Sequence, residues 1–319
     1  MSDVKVSKTE GGLFHVGESL IRPINWTVPV GRYAPSPTGR LHRGNLRTAL
    51  LAHQQMEALG GGIILRLDDL DFPRVIRDSE LGILKDLGAL GLTYAAGPSL
   101  RHDPSVVDPL RQSNRLDLYS NCLEELGRQG LIYPCFCSRR DLREASAPHG
   151  PDGFIYPGTC RPRGRIPVSR DELWSRQGAW RFRTDGMGYI GFTDGLLGRI
   201  MESVERAGDF VVRRRDGLWS YQLASAVDDW YMGITHVLRG EDLLSSTFRQ
   251  LSILEGLGGR APKHWCHVPL VCGESGAKLS KRDGGEGLPH EAWGLDQDPA
   301  KWRRWVMNQT GPGFASSYI

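Results

Sequence analysis

Gly31-Arg32-Tyr33-Ala34-Pro35-Ser36-Pro37-Thr38-Gly39-Arg40-Leu41-His42-Arg43-Gly44-Asn45 reads as a strand that breaks into a loop and then starts a helix. Val28, Val30 and Arg32-Tyr33-Ala34 supply the strand. Pro35-Ser36-Pro37 ends it, because proline brings no N–H to a ladder. Leu46, Ala49, Leu50 and His53 then recur at helical spacing, and Gly60-Gly61-Gly62 stops the helix. Ile63-Ile64-Leu65-Arg66-Leu67 forms the next strand and ends in Asp68-Asp69-Leu70-Asp71. Strand, helix, strand is the right-handed βαβ unit of a parallel sheet. Ligands of such sheets sit beyond the carboxyl ends of the strands. The loop Pro35–Gly39 and the acidic run Asp68–Asp71 are therefore expected to face one crevice.

Working outward, the pattern changes between about Arg111 and Trp219. This stretch holds Cys135-Phe136-Cys137, a Gly/Pro-rich run from Pro148 to Gly164 and short β-like runs such as Trp180–Arg183. It reads as an inserted domain. The parallel-sheet pattern resumes with a helix over Tyr221–Trp230 and a strand over Gly233–Leu238 that ends in Arg239-Gly240-Glu241-Asp242. A helix from about Ser245 to Leu257 follows, then a strand over His267–Val271 that runs into a glycine-rich turn and Lys278-Leu279-Ser280-Lys281-Arg282. Asp298 and Pro299 mark the start of a last helix. The expected organisation is a flexible tail over 1–26, a first catalytic half over 27–111 and an insertion over 112–219. A second half follows over 220–282, then a partial helical tail over 283–319, with Trp302, Trp305 and Val306 inward and Arg303 and Arg304 outward.

The chain has 319 residues, enough for more than one compact unit, and its net charge of +3 permits a polyanionic partner without demanding one. No apolar run is long enough to span a bilayer, and the polar first twenty residues lack a signal-peptide core. A cytoplasmic setting with no membrane partner is expected. Six cysteines in a reducing compartment point to metal binding more than to disulfides.

The helix starting at Gly44-Asn45 offers free N–H groups and a positive dipole end, which suit a triphosphate. Gly44 allows close approach, and His42 is placed to donate to a phosphate, although by itself the motif reads more readily as a helix-capping turn with an incidental histidine. Lys278 and Lys281 follow the last strand of the same sheet and so reach the same edge. Adenylate formation needs such cations, because charge builds on a departing pyrophosphate. Arg32 and Arg239 each end a strand at this edge, poised for bidentate pairing with a carboxylate. Asp68 can accept from an α-ammonium group. Two arginines and one acid suit an acidic amino acid; the alternative is that Arg32 and Asp68 pair with each other.

His42-Arg43-Gly44-Asn45 and Lys278-Leu279-Ser280-Lys281-Arg282 resemble the two signatures of class I aminoacyl-tRNA synthetases. Gly31–Gly39, Leu65–Asp71, Arg111-Gln112-Ser113, Tyr221-Gln222-Leu223-Ala224, Val227-Asp228-Asp229 and Leu238–Asp242 are similar to words of the glutamyl/glutaminyl group. The resemblance implies an α/β fold: a Rossmann-type parallel sheet with an inserted, zinc-containing, acceptor-binding-like domain. It also implies a short C-terminal stem-contact-like helical segment and no anticodon-binding domain. It implies catalytic roles for His42, Lys278 and Lys281. Thr38, His42, Gly44, Asn45 and Lys281 would bind ATP with Mg²⁺, and Arg32, Ser36, Asp68, Tyr221 and Arg239 would bind glutamate. Two departures stand out. Asp68 is one methylene shorter than the usual glutamate, and Arg43 replaces an apolar residue, either snorkelling outward or adding a cation near the nucleotide.

The Cys-x-Cys spacing alone leaves zinc and a reduced core trio both open. The resemblance implies a structural zinc on Cys135, Cys137, Tyr156 and Cys160, with His149 as an alternative fourth ligand. Arg139, Arg140, Arg161 and Arg163 would offset the thiolate charge, leaving Cys122, Cys266 and Cys272 as core thiols. Shorter members of the group attach L-glutamate, activated with ATP, to queuosine in the anticodon of tRNA(Asp). The resemblance implies that activity here, in a monomer. The anticodon stem-loop would enter the catalytic cleft, and arginines of the insertion, Arg165 among them, would track its phosphates. The alternatives are a truncated enzyme that charges a tRNA 3′ end and a non-catalytic paralogue that senses glutamate or zinc. His42, Lys278 and Lys281 argue against the sensor.

Overall fold

The computed structural model describes residues 8–9, 14–16, 19–21, 23–76, 78–98, 110–138, 140–141, 155–271, 288–289, 292 and 298–310. The opening βαβ unit consists of β1 (Val30–Tyr33), α1 (Arg43–Ala58) and β2 (Gly62–Leu65). Every residue of β1 and β2 is buried, as expected for strands covered on both faces. Leu46, Ala49 and Leu50 of α1 pack on one face with Tyr33, Leu65 and Leu238. Val30, Ile64, Val237 and Trp265 fill the other face.

Five further elements complete the central layer. They are β5 (Tyr189–Asp194), β6 (Gly198–Ser203), α4 (Tyr221–Tyr231), β8 (His236–Gly240) and β9 (His264–Val268). The strand order is β6-β5-β9-β8-β1-β2. All pairings are parallel except the hairpin of β5 with β6, so the sheet is mixed where a parallel one is expected. The order also corrects the domain reading. Residues 189–203 lie inside the stretch 112–219, yet they extend the main sheet through the pairing of Asp194 with Trp265. The three-stranded antiparallel sheet of β3 (Ile132–Cys135), β4 (Ala179–Phe182) and β7 (Phe210–Arg213) forms a separate layer within that stretch. It packs on α3 (Leu116–Arg128).

Two strand boundaries shift for local reasons. Strand β8 starts at His236 because Gly233 turns the chain with φ +65°. Strand β9 ends at Val268, one residue before Pro269. Helix α5 (Leu244–Leu257) lies next to α4 and against β5, and α6 (Pro299–Thr310) lies on α1. Asp298 caps α6, its Oδ1 accepting from Ala300 N at 2.9 Å. Trp302 and Val306 are buried as expected. Arg303 turns inward against expectation and donates to the carbonyls of Leu90 and Gly91 at 2.7 and 3.0 Å. Short ladders join Lys8–Thr9 to Asn25–Trp26 and Phe14–Val16 to Ser19–Ile21 within the expected tail 1–26.

Segment 95–97 seals the free edge of β2 through Ala95 N to Ile63 O and Leu65 N to Ala96 O. It approaches so closely that a Cβ at Gly97 would lie 2.2 Å from the Leu65 carbonyl oxygen, at φ +125°. Gly97→Ala is expected to destabilise the fold by about 3 kcal/mol. Urea unfolding with an unchanged midpoint would contradict this account of the β2 edge.

Candidate active site

The carboxyl ends of β1, β2, β8 and β9 open into a cleft of about 190 Å³. Arg32, Asp68, Tyr221 and Arg239 line it from one side, and His42, Gly44, Asn45 and Thr48 from the other. Two groups that are far apart in sequence thus share one cavity. Ser36 and Thr38 sit in the turn beyond Pro35, where Thr38 N donates to Ser36 O, and they do not line the cavity. Lys278 and Lys281 lie outside the described residues, as do Arg139, His149 and Cys272.

His42 is the N-cap of α1. Its Nδ1 accepts from Asn45 N at 3.3 Å. With Nδ1 as acceptor, the proton of the neutral ring is on Nε2, which makes Nε2 a donor. A Cβ at Gly44 would meet the His42 ring at 3.1 Å, a tight contact, so glycine eases the cap geometry. The Arg43 guanidinium lies over the Trp305 ring, 5.2 Å from the centroid, and ties α1 to α6.

Beneath the cleft lies a buried charge cluster. Arg66, with no exposed surface, donates to Asp68 Oδ1 at 2.7 Å and to Asp229 Oδ1 at 2.6 Å, and lies 3.5 Å from Asp228. Arg32 donates to both oxygens of Asp229, at 3.3 and 3.4 Å, and to the Leu238 carbonyl. Arg115 grips Asp228 with two bonds of 2.7 and 2.9 Å, and Gln112 and Tyr119 add one bond each. Arg32 and Asp68 therefore do not pair with each other. Burial works against the charge of Asp229, but Arg32 and Arg66 outweigh it and hold its carboxyl below the ordinary range. Burial pushes the Asp68 carboxyl up, only partly offset by Arg66. Asp68 still lines the cavity, and a carboxylate has room for more than the two N–H groups that Arg66 supplies.

Three arginines and three aspartates balance within this cluster. Arg239 stands apart. It is 4 % exposed, and its partners are all neutral: His267, Tyr221, Gln250 and Thr247, at 2.7 to 3.2 Å. Among the described residues no carboxylate lies within ion-pair distance of it. Burial pulls its pKa below the ordinary arginine value, as expected for a guanidinium short of counter-charge. Arg239 is thus a surplus cation of the cleft, with no carboxylate partner among the described residues.

A second constellation lies at the end of β3. The Sγ atoms of Cys135, Cys137 and Cys160 fall within 4.8 Å of one another. The Tyr156 hydroxyl sits 3.5 Å from Cys135 Sγ and 3.8 Å from Cys137 Sγ, and accepts from Cys160 N at 2.7 Å. Burial opposes ionisation of Cys160, but its hydrogen bonds prevail and bring the thiol down to about 7. Three sulfurs and a phenol oxygen in one place have the donor chemistry of a tetrahedral metal site. The expected charge offset needs correction. Arg161 is committed to Asp209 at 2.6 Å. Arg181 instead covers the Tyr156 ring at 3.8 Å, and Arg215 donates to the Cys137 carbonyl at 3.3 Å. Cys122 and Cys266 are buried core thiols, the latter pushed up to about 12, mainly by burial.

Sequence reading undervalued Arg66, Asp228 and Asp229, although a charge inside an apolar strand and an acidic pair inside an apolar helix are visible signals. Asp194, Thr247, Gln250 and His267 carry no local signal.

The model of the family "tRNA synthetases class I (E and Q), catalytic domain" matches residues 28–299. Glutamyl-Q tRNA(Asp) synthetase of Neisseria meningitidis is 42 % identical over 253 residues, which cover 79 % of this chain and 80 % of the relative. Its counterpart in Nitratidesulfovibrio vulgaris is 43 % identical over 255 residues, covering 79 % and 77 %. The crystal structure of a glutamate tRNA ligase from Elizabethkingia meningosepticum in complex with its amino acid superposes with a TM-score of 0.65 at 31 % identity. That match covers 82 % of this chain and 53 % of the ligase, so the chain spans about half the length of that ligase.

Arg66→Ala would leave Asp68 and Asp229 short of their shared counter-charge. It is expected to destabilise the fold by about 3–5 kcal/mol. Denaturant unfolding checks this, and a loss below about 1 kcal/mol would remove Arg66 from its central place.

Proposed function

Because the chain belongs to the glutamyl and glutaminyl (E and Q) family of class I tRNA synthetases, we propose that it activates L-glutamate with ATP and transfers it to queuosine in the anticodon of tRNA(Asp). The surplus cation Arg239 carries this reading. A buried guanidinium with only neutral partners is complementary to a carboxylate side chain. Glutamine would leave its charge uncompensated in a desolvated site.

The reaction divides the cleft into two halves. On one side, Arg32, Asp68, Tyr221 and Arg239 hold the amino acid, Asp68 accepting from its α-ammonium group. On the other, His42 Nε2–H and the N-terminus of α1 face the phosphates of ATP, which arrives with Mg²⁺. Gly44 and Asn45 form the wall against which the nucleotide lies, and Ser36 and Thr38 contribute from the adjoining turn. A glutamate carboxylate oxygen attacks the α-phosphorus, the bond to the bridging oxygen breaks, and pyrophosphate leaves. His42, Lys278 and Lys281 stabilise the charge that develops on it. A hydroxyl of queuosine then attacks the acyl carbon, and AMP departs.

The acceptor follows the relatives named as glutamyl-Q tRNA(Asp) synthetases, whose match extends over about four-fifths of both chains. Single-stranded loop bases can splay into a cleft of this kind. Arg163 and Arg165 are exposed in the inserted stretch and available to stem phosphates, whereas Arg161 is committed to Asp209. A cytoplasmic monomer fits these substrates, and no helix of the described residues is long and apolar enough to cross a membrane.

The proposed metal is zinc, held by Cys135, Cys137, Cys160 and Tyr156. It would clamp the end of β3 to the segment around Cys160. With four protein donors it leaves no open position for substrate, so its role is structural.

ATP–pyrophosphate exchange should depend on glutamate, with glutamine at least a hundredfold weaker, from about 3 kcal/mol of lost charge compensation. Glutamate should then load onto queuosine-bearing tRNA(Asp) whose 3′-terminal adenosine has been removed. Equal exchange with glutamine would overturn the pocket assignment. Loading that vanishes with the adenosine, or proceeds without queuosine, would overturn the acceptor.

Purified, reduced protein should contain about one zinc per chain, and Cys160→Ser should lose the metal together with protease resistance of the inserted layer. Metal analysis without zinc would return the cysteines to the role of core thiols.

A further inference from the structure

Arg239 is held from behind by groups that do not line the cleft. Its Nε–H donates to His267 Nε2 at 3.2 Å, and its Nη2 donates to Thr247 Oγ1 at 2.7 Å. Thr247 Oγ1 lies 3.0 Å from the same His267 Nε2. On the far side of the ring, His267 Nδ1 lies 2.7 Å from Asp194 Oδ2. Asp194 is fully enclosed. Its Oδ2 also accepts from His267 N at 3.0 Å, and its Oδ1 accepts from Leu196 N and Leu197 N at 2.9 and 3.0 Å. Burial opposes its charge, but four N–H donors outweigh burial and hold the carboxyl below the ordinary range.

These contacts leave one consistent proton arrangement. Ionised Asp194 has no proton to give, so the proton of the neutral ring is on Nδ1. Nε2 then presents a lone pair to the guanidinium. A proton on Nε2 would point at Arg239 Nε–H. Burial, with Arg239 and Arg32 nearby, outweighs the pull of Asp194 and makes a second proton harder for the ring to take up. Trp265 lies parallel to the ring and Phe192 is tilted against it, at centroid distances of 6.3 and 6.0 Å.

We propose that Asp194, acting through the Nδ1–H tautomer of His267, is a positioning residue that aims Arg239 into the amino-acid cleft. The interposed imidazole explains why an aspartate is used at one remove. A carboxylate in direct contact would orient Arg239 equally well but would neutralise it, and the substrate carboxylate would have to displace that partner. A neutral acceptor fixes the guanidinium and leaves its charge to the ligand. Arg239 has five N–H donors, and its four bonds to protein leave one for that ligand. The strand carrying Asp194 is the part of the inserted stretch that joins the main sheet, so the relay makes the glutamate site depend on that strand being docked.

The inference rests on glutamate as substrate, and two measurements separate its failure from that of the functional reading. The first needs no substrate. Imidazole ¹⁵N shifts of the full-length protein should show His267 as the neutral Nδ1–H tautomer at a pH just above the ordinary histidine pKa of ~6.5. A protonated Nε2 overturns the proposal, whatever the enzyme's substrate. The second is pyrophosphate exchange by Asp194→Asn. Its side-chain oxygen would stay with Leu196 N and Leu197 N, turning the NH₂ towards His267 and forcing the proton to Nε2. The KM for glutamate should rise about ten- to a hundredfold, while kcat and the KM for ATP stay within about twofold. Equal losses in kcat and both KM values would mark a purely structural residue and overturn the proposal. If Asp194→Asn does not fold, His267→Gln and His267→Leu decide. The glutamine amide oxygen can accept from Arg239 and should retain more glutamate affinity than leucine, and equal loss in both overturns it. Absence of glutamate-dependent exchange by the unmodified protein would instead refute the substrate assignment and leave the tautomer to judge the relay.

Discussion

Arg66 is a cation with no water, placed between Asp68, Asp228 and Asp229. A buried ion is tolerable only when its counter-charges and hydrogen bonds are all in place. That constraint fixes the relation of three chain segments. Arg66 follows β2, Asp228 and Asp229 come from α4, and Arg115 precedes α3. The two halves of the main sheet are separated in sequence by the inserted stretch, and the cluster joins them across that gap. If α4 were displaced by one turn, Asp228 and Asp229 would leave their arginines and several charges would lie unpaired in the core.

The same cluster shapes the chemistry above it. By balancing Arg32, Arg66 and Arg115 against three aspartates, it leaves Arg239 with no carboxylate partner among the described residues. In the proposed reading, selectivity for an acidic ligand comes from this accounting of buried charge. The neutral partners of Arg239 matter for the same reason: Tyr221, Thr247, Gln250 and His267 saturate its geometry and leave its charge intact. The phosphate side works differently. His42 is tied to Asn45 N, so the helix cap that stabilises α1 also sets which ring nitrogen carries the proton. In the proposed reading, local stability and phosphate recognition use one side chain there.

The inserted stretch is two structures. Its antiparallel layer of β3, β4 and β7 carries the cysteine cluster, while the hairpin of β5 and β6 belongs to the main sheet. Arg181 spans the first of these: it stacks on Tyr156 and donates to the Asp209 carbonyl, and Asp209 receives Arg161. The arginines nearest the cysteines therefore brace the layer from within. Arg163 and Arg165 are exposed.

The sequence by itself determined the βαβ opening, the cap and loop of the phosphate side, the positions of Arg32, Asp68 and Arg239 at strand ends, and the Cys-x-Cys pair with Cys160 in the same stretch, while Tyr156 joined them only through the resemblance. These features are legible because they are local: periodicity, prolines, glycines and short spacings are properties of a few consecutive residues. Tertiary structure alone decided which charges pair. Arg32 takes Asp229 and leaves Asp68 to Arg66, because α4 packs against the ends of β1 and β2, and nothing in the local sequence states that distance. It also decided the place of Asp194 and His267, which lie 73 residues apart and meet only because β5 runs parallel to β9. Arg43 met Trp305 for a similar reason, once α6 had packed on α1. A side chain's residue type fixes what it can donate or accept, and only the packed sheet fixes which partner it reaches.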